Sequence, residues 1–164
     1  MATPEQLGHT NTQNSCTALC LAAAALLLSV MLAWGAGKLF LDDLTFTAAE
    51  VEISFWGRGN YQPTATTRSR IGSMLDTLLA GAPQHPGYLG LAANYYGWEA
   101  YRADTSALGR ALGQQAVETQ FAAQRSRPAY RQGWLTMVGY AERAEGARRQ
   151  LELAQERLRT LQRY

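Results

Sequence analysis

The chain has 164 residues, of which 47 % are hydrophobic and 17 % are charged, and its net charge is +2. Soluble domains usually contain about 25 % charged residues, and the shortfall here has one source: no Asp, Glu, Lys or Arg occurs between Glu5 and Lys38. The rest has an ordinary globular composition, which excludes a disordered protein, a disulfide scaffold and a multi-spanning channel. A net charge this small gives no electrostatic case for nucleic-acid binding, so we expect no nucleic-acid partner.

The uncharged segment over residues 18–37 is long enough for a helix that crosses a bilayer, because about 20 residues rise 30 Å. Trp34 fits the aromatic belt of a membrane interface, and Lys38 can extend its ammonium group into that interface. A cleaved secretory signal is the alternative, but residues 1–14 contain no Lys or Arg for a positive n-region. We therefore predict a flexible tail over residues 1–14 and an uncleaved transmembrane helix over residues 15–41, with the lipid bilayer as its partner.

The residues that flank this segment do not determine its orientation in the membrane or whether its cysteines are modified. The positive-inside rule counts only Lys38 and taken literally places the C-terminal side in the cytoplasm. Cys16 and Cys20 are four residues apart and share a helix face, which allows acylation or an intermolecular disulfide. Small apolar residues at the start of a membrane helix are the simpler interpretation. Since these are the only two cysteines, we predict no metal site and no internal disulfide framework.

Residues 42–63 are predicted to form a stalk that ends in an aromatic loop. We expect the helix to continue out of the bilayer, because four residues recur at helical spacing: Leu44, Thr47, Val51 and Ser54. A short strand over residues 51–56 is the alternative, but no partner strand is evident. Gly57 and Gly59 then interrupt the helix.

The loop contains three candidate partner-binding residues: Trp56, Arg58 and Tyr61. Aromatic rings stack on sugars or on the apolar surface of a partner, and a guanidinium binds a carboxylate or a phosphate. We favour the competing interpretation, in which the aromatic residues of the loop pack beneath the following domain and attach it to its stalk.

Residues 64–164 are predicted to form a helical domain. Thr64 begins an amphipathic helix whose apolar residues recur every three or four positions: Ile71, Met74, Leu75, Leu78 and Leu79. Pro86 suits the first position of the next helix, where a missing N–H costs nothing. Asp104 or Thr105 is expected to cap a further helix, and Pro128 is expected to lie in the first turn of another.

A heptad-like seam predicts a long C-terminal helix. Its members are Met137, Tyr140, Ala144, Ala147, Leu151, Ala154, Leu158 and Leu161. Gly146 weakens this helix or divides it. The leucine-rich end, with Leu151, Leu158 and Leu161 as candidate contacts, suits either a cap on the domain itself or pairing with another helix, including that of a second copy. The spacing leaves both alternatives open.

The predicted fold class is all-α: an N-terminal transmembrane helix followed by tetratricopeptide-like stacked helical hairpins. Two similar segments each open a helix with a proline, at Pro86 and at Pro128. In the second segment, Trp134 and Met137 partly follow the tetratricopeptide pattern. Stacked hairpins form a groove in which aromatic residues bind a peptide. The candidates in these helices are Tyr95, Trp98, Tyr130 and Trp134, and we expect most aromatic residues here to fill the core.

No catalytic constellation is evident in the sequence. His9 lies in the predicted tail, and His85 precedes Pro86 in a turn, with no acidic residue near His85 in the sequence to orient its imidazole. Gly57-Arg58-Gly59 lacks the third glycine of a dinucleotide-binding loop. We therefore expect no enzymatic activity, no cofactor and no catalytic residue.

Three runs resemble segments of the Vps-type polysaccharide biosynthesis accessory proteins, small single-pass proteins of bacterial exopolysaccharide and O-antigen gene clusters. They are VEISFWGRGNYQPT, HPGYLGLAANYYGWEAY and RSRPAYRQGW, and the resemblance covers approximately residues 20–140. It implies a non-enzymatic adaptor in the bacterial inner membrane, with a periplasmic tetratricopeptide-like domain that docks onto other envelope-assembly proteins. A structural subunit of a larger membrane complex, such as a secretion or pilus assembly system, is the alternative. The C-terminal heptad seam is not a feature of that family.

Overall fold

The computed structural model describes the backbone of residues 6–162 and the side chains of residues 18–162. Within this range the chain is helical and contains no strand, which confirms the all-α prediction. The helices are α1 (Gln6–Phe55), α2 (Ala65–Gly81), α3 (Pro86–Ala103), α4 (Ala107–Ser126), α5 (Arg131–Ala141) and α6 (Arg148–Leu161). They divide into two compact units, Met1–Asp43 and Leu44–Tyr164.

In the first unit, α1 carries the apolar segment. By length and composition it is the one helix among the described residues that is suited to crossing a membrane, over Ala18–Phe55. The side chains of residues 18–41 are exposed, with Trp34 at 80 %, and the Ser29 hydroxyl donates to the Ala25 carbonyl at 2.9 Å, so this polar group is satisfied within the helix. The backbone of residues 6–14, which are predicted as a flexible tail, is helical, and residues 1–5 lie outside the described part of the chain. Of the two cysteines, Cys20 is an exposed free thiol, and the side chain of Cys16 lies outside the described part.

The second unit begins with the last three turns of α1. The helix continues to Phe55, so the predicted helical continuation is confirmed and the alternative strand is wrong. The residues whose spacing predicts this helix are not the ones that it buries. Ala49 and Ile53 are buried, whereas Leu44 and Val51 are half exposed. The buried side joins a cluster that we call the first core cluster: Ala49, Ile53, Trp56, Ile71, Leu75 and Leu91.

Helix α2 has the predicted amphipathic form. Thr64 is its N-cap, and the hydroxyl oxygen accepts from the Thr67 N–H at 3.1 Å. Its buried residues are Ile71, Leu75 and Leu78. An ion pair of 2.7 Å between Arg68 and Glu99 joins α2 to α3, with both side chains largely shielded from solvent.

Helices α3 and α4 make the most extensive helix pair of the described chain. Pro86 is the first residue of α3, as predicted, and the His85 Nδ1 accepts from the Tyr88 N–H at 3.3 Å. The N-cap of α4 is Ser106, whose hydroxyl accepts from a backbone N–H at 3.0 Å. The prediction of Asp104 or Thr105 for this role is wrong, because Asp104 has a φ of 52° and ends α3.

The last two helices form a second core cluster with α4: Val117, Trp134, Met137, Ala141, Ala144, Ala147 and Ala154. Helix α5 starts at Arg131, three residues later than the predicted start at Pro128, because a turn in which the Tyr130 N–H donates to the Arg127 carbonyl comes first. Gly146, with a φ of 83°, separates α5 from α6. The predicted long C-terminal helix is therefore two helices.

Two buried glutamines hold α5 against α4. The Gln120 amide donates to the Gly133 carbonyl at 3.2 Å, and the Gln124 amide donates to the Tyr130 carbonyl at 2.9 Å. A Cβ atom on Gly133 would lie 2.4 Å from the Gln124 amide nitrogen. The glycine thus leaves the space that the glutamine side chain occupies.

Candidate functional site

A groove of about 410 Å³ in the second unit is the candidate site, and we call it the aromatic groove. It opens between the loop that follows α1, one face of α3 and the end of α5. The side chains that define it are Trp56, Gln62, Asn94, Trp98, Tyr101, Arg102, Tyr140 and Arg143. It thus combines rings, amides and guanidinium groups.

The loop reaches α3 because two glycines shape it. Gly57 and Gly59 have φ values of 75° and 55°, a region that glycine adopts without steric cost. A Cβ atom on Gly57 would lie 2.3 Å from the ring of Trp98. The absence of a side chain at this position therefore allows the indole to pack on the loop backbone and to form one wall of the groove.

The rings of α3 form an ordered pair at this wall. Tyr101 stands edge-on to Trp98, with ring centroids 6.0 Å apart and planes at 89°, an arrangement that aromatic quadrupoles favour. Tyr101 is 69 % exposed. Its ring is thus supported from one side and accessible to a ligand.

Tyr140 of α5 forms the opposite wall. A Cβ atom on Gly97 would lie 2.7 Å from its ring, so the glycine lets α5 approach α3. The phenol oxygen lies 3.5 Å from the Asn94 side-chain oxygen. Burial raises the pKa of Tyr140 to about 12, which outweighs the lowering effect of Arg143, so the hydroxyl stays protonated at neutral pH and can donate a hydrogen bond.

The charge of the aromatic groove is positive. Among the described residues that line it, Arg102 and Arg143 are the charged ones. Arg102 donates to the Gln62 side-chain oxygen at 3.1 Å, which keeps a neutral partner beside it. A smaller neighbouring cavity of about 250 Å³ shares Tyr101, Tyr140 and Arg143 and adds Asp104, Glu145 and Arg110, so its opposite charges balance. The aromatic groove is therefore the part of this surface that attracts an anion.

The structure places the three predicted loop residues differently. Trp56 belongs to the first core cluster at 3 % exposure, donates to a Glu52 carboxylate oxygen at 3.3 Å and packs 5.9 Å from the ring of Tyr95. Arg58 and Tyr61 are exposed. Tyr61 donates to the same carboxylate, and this bond, with lesser effects of desolvation and the Glu52 charge, raises its pKa. Trp56 thus serves mainly as core.

The other aromatic candidates also separate. Trp98 lines the aromatic groove, whereas Tyr95 is half buried against the first core cluster, where burial chiefly raises its pKa. Trp134 is 3 % exposed and donates to the Pro128 carbonyl at 2.8 Å, so it is a core residue and not a surface contact. Tyr130 is half exposed, carries Arg127 over its ring at 5.2 Å and lines a neighbouring cavity of about 440 Å³, which shares Asn94 and Tyr140 with the aromatic groove.

The leucines of α6 pack inside their own unit. Leu151, Leu158 and Leu161 are partly buried against the second core cluster. Of the two interpretations of the seam, the intramolecular cap is the one that this packing matches.

Sequence reasoning did not identify four groove residues as binding candidates: Asn94, Arg102, Tyr140 and Arg143. Asn94, Trp98 and Tyr101 follow the i, i+4, i+7 spacing of one helix face, which was a usable signal. No local pattern indicates Tyr140 and Arg143, because they reach the site only when α5 packs on α3.

The side chains of the aromatic groove offer a ligand stacking surfaces, hydrogen-bonding groups and positive charge. Among the side chains that the structure describes, no group of three or more His, Cys, Asp or Glu could hold a metal ion. His85 caps α3 and contacts the Tyr88 ring at 4.0 Å; His9 lies outside the described side chains. Comparisons with protein-family models, curated proteins and solved structures return no match, so the function is inferred from these residues.

Proposed function

We propose that the chain is a non-enzymatic, membrane-anchored helical adaptor in bacterial exopolysaccharide or O-antigen biosynthesis or export. The observation that supports it is the combination of an exposed apolar helix with a unit that offers a groove of rings and guanidinium groups. Such a groove holds another molecule by stacking and charge, without changing it. The glycan context comes from the resemblance of the three runs in the sequence.

The anchor is supported by the exposed apolar surface of α1. Leaving that surface in water costs about 25 cal/mol per Å², so a helix with large apolar residues on every side is stable only in lipid or in a protein interior. In this proposal α1 crosses the inner membrane once and the second unit lies in the periplasm, as the resemblance implies. Lys38 alone argues for the opposite orientation.

The proposed helical unit is tetratricopeptide-like. From α2 to α6, each helix packs on the next helix along the chain, and stacked helical hairpins have the same pattern of neighbouring contacts. Envelope-assembly partners would dock at the aromatic groove, where Tyr101 and Arg102 are exposed. The alternative, a subunit that pairs through α6, has less support because the α6 leucines already contact the second core cluster.

Co-purification tests the proposal. A tagged chain extracted in mild detergent should retain polysaccharide polymerase or export proteins, and Tyr101→Ala should release them because it removes the accessible ring. Tyr130→Ala, a half-exposed tyrosine outside the groove, is the matched control and should retain them. Recovery of the chain alone, with unchanged polysaccharide output after gene deletion, would refute the proposal. A reporter fused to the C-terminus reads the compartment independently.

A further inference from the structure

The last three turns of α1 carry a second apolar face that stays about half exposed in the described second unit, where the Tyr61 ring packs edge-on to Phe55 with centroids 6.5 Å apart. Leu44, Val51 and Phe55 are about half exposed, at 50 %, 51 % and 48 %, and Ala48 is exposed between them. The steps of four, three and four residues are those of a coiled-coil seam. We call these four residues the outer stripe.

The outer stripe is distinct from the face that α1 uses within its own unit. Ala49, Ile53 and Trp56 face the first core cluster. Polar residues flank the stripe, among them Thr47 and Glu52. This part of α1 therefore has two apolar faces, of which only one is buried by the chain itself.

Lipid is a poor candidate to cover the outer stripe. Residues 18–41 already span about 36 Å at 1.5 Å per residue, more than the 30 Å hydrocarbon core. Asp42 and Asp43 follow directly, and burying carboxylates in lipid is costly. The stripe thus begins where the apolar core of a bilayer would end.

We propose that the outer stripe pairs with the same stripe of a second copy, as a parallel two-helix coiled coil beside the membrane. This inference rests on the anchoring in the proposed function, since two copies inserted in one orientation hold each residue at equal depth. Leu44 then faces Leu44 and Val51 faces Val51, which makes the surface self-complementary. Confinement of both copies to one membrane also raises their effective concentration.

The polar residues are compatible with this pairing. In a parallel pair, Thr47 of one helix flanks Glu52 of the other, so no like charges meet across the seam. Glu52 is already bonded to Trp56 and Tyr61 within its own chain. Asp43 and Glu50 lie at heptad positions away from the seam.

The sequence and the end of the stripe also fit such a pair. The spacing of three and four residues continues backward in the sequence through Leu41, Gly37 and Trp34. At the other end, the Arg58 guanidinium lies 5.9 Å from the centre of the Phe55 ring. The outer stripe therefore ends at a cation–π contact, just where the helix ends.

Disulfide scanning in membranes tests the pairing. In a Cys16→Ser, Cys20→Ser background, Ala48→Cys and Val51→Cys should give a disulfide-linked dimer on mild oxidation, because seam positions bring like residues together. Glu50→Cys is the matched control and should give no such band, because its Cβ atoms point apart. Equal cross-linking at all three positions, or none at Ala48→Cys and Val51→Cys, would overturn the inference, and so would a disulfide to a different protein.

A second measurement separates this inference from the anchoring. Val51→Glu should convert the detergent-solubilised dimer to a monomer in sedimentation and leave the thermal midpoint of the helical unit unchanged, because Val51 lies outside its core. Carbonate extraction of the same membranes reads anchoring alone. A chain retained in the membrane as a monomer overturns only the pairing, whereas a chain released into the soluble fraction overturns both.

Discussion

The two core clusters of the helical unit are built from side chains of different size. In the first core cluster every buried residue except Ala49 is large, whereas four of the seven buried residues in the second are alanine. Large side chains hold helices apart and fill the space between them, while alanine lets helices approach closely. We therefore expect lost side-chain volume to lower the stability of the first cluster, and added volume to lower that of the second cluster at its alanines. At the few large residues of the second cluster, lost volume should be the damaging change.

Trp134 is the largest of these residues, and its removal should have the largest effect. Trp134→Ala should lower the free energy of unfolding by about 4 kcal/mol, because it opens a cavity and leaves the Pro128 carbonyl without its donor. Urea unfolding measures this. Leu135→Ala, at the neighbouring position with 37 % exposure, should cost less than about 1 kcal/mol. Equal effects would show that Trp134 does not support the second cluster.

Added volume at an alanine should have the next largest effect. Ala154 is fully buried, so Ala154→Leu should lower the free energy of unfolding by about 2 kcal/mol through overpacking between α6 and its neighbours. Gln155→Leu, which adds an apolar residue at the adjacent exposed position, should change it by less than about 0.5 kcal/mol. If Ala154→Leu were neutral, α6 would not pack closely on the second cluster.

A smaller, pH-dependent effect should arise at Tyr140, which packs against the second core cluster. Burial raises its pKa to about 12 in the folded chain, above about 10 in the unfolded chain. The stabilisation is complete below pH 10 and is lost as the pH rises through 12, because the unfolded state then ionises first.

At pH 11 this loss should reach about 1 kcal/mol for the native chain. Tyr140→Phe removes the titrating group, so its thermal midpoint should fall less between pH 9 and pH 11 than that of the native chain. Tyr101→Phe, at an exposed tyrosine, should reproduce the native pH dependence. Parallel profiles for the native chain and Tyr140→Phe would contradict the burial of this hydroxyl.

Local signals predicted the helices that depend on them. Apolar spacing predicts the helix start at Thr64 and the proline preference predicts the start at Pro86, and the structure confirms both starts. Pro128 carried the same kind of signal but lies in a turn, because the α5 start is set by contacts with α4, through Gln124 and Gly133, that the sequence does not reveal.

The sequence also does not reveal which face of α1 is buried. Leu44 and Val51 mark a helix by their spacing, but only the packing of α2 and α3 determines that Ile53 faces inward. The aromatic groove was predictable on its α3 side, at Trp98. Its α5 side, with Tyr140 and Arg143, is a product of tertiary packing and has no local signature.

The contact between Gln124 and Gly133 has an evolutionary consequence. Because the amide occupies the volume where a methyl group would stand at position 133, a larger residue at 133 displaces the Gln124 side chain. A bulkier residue at 133 therefore requires a shorter one at 124, and the Tyr130 carbonyl must then find a new donor. Among homologous chains, a residue larger than glycine at 133 should occur together with a change at 124.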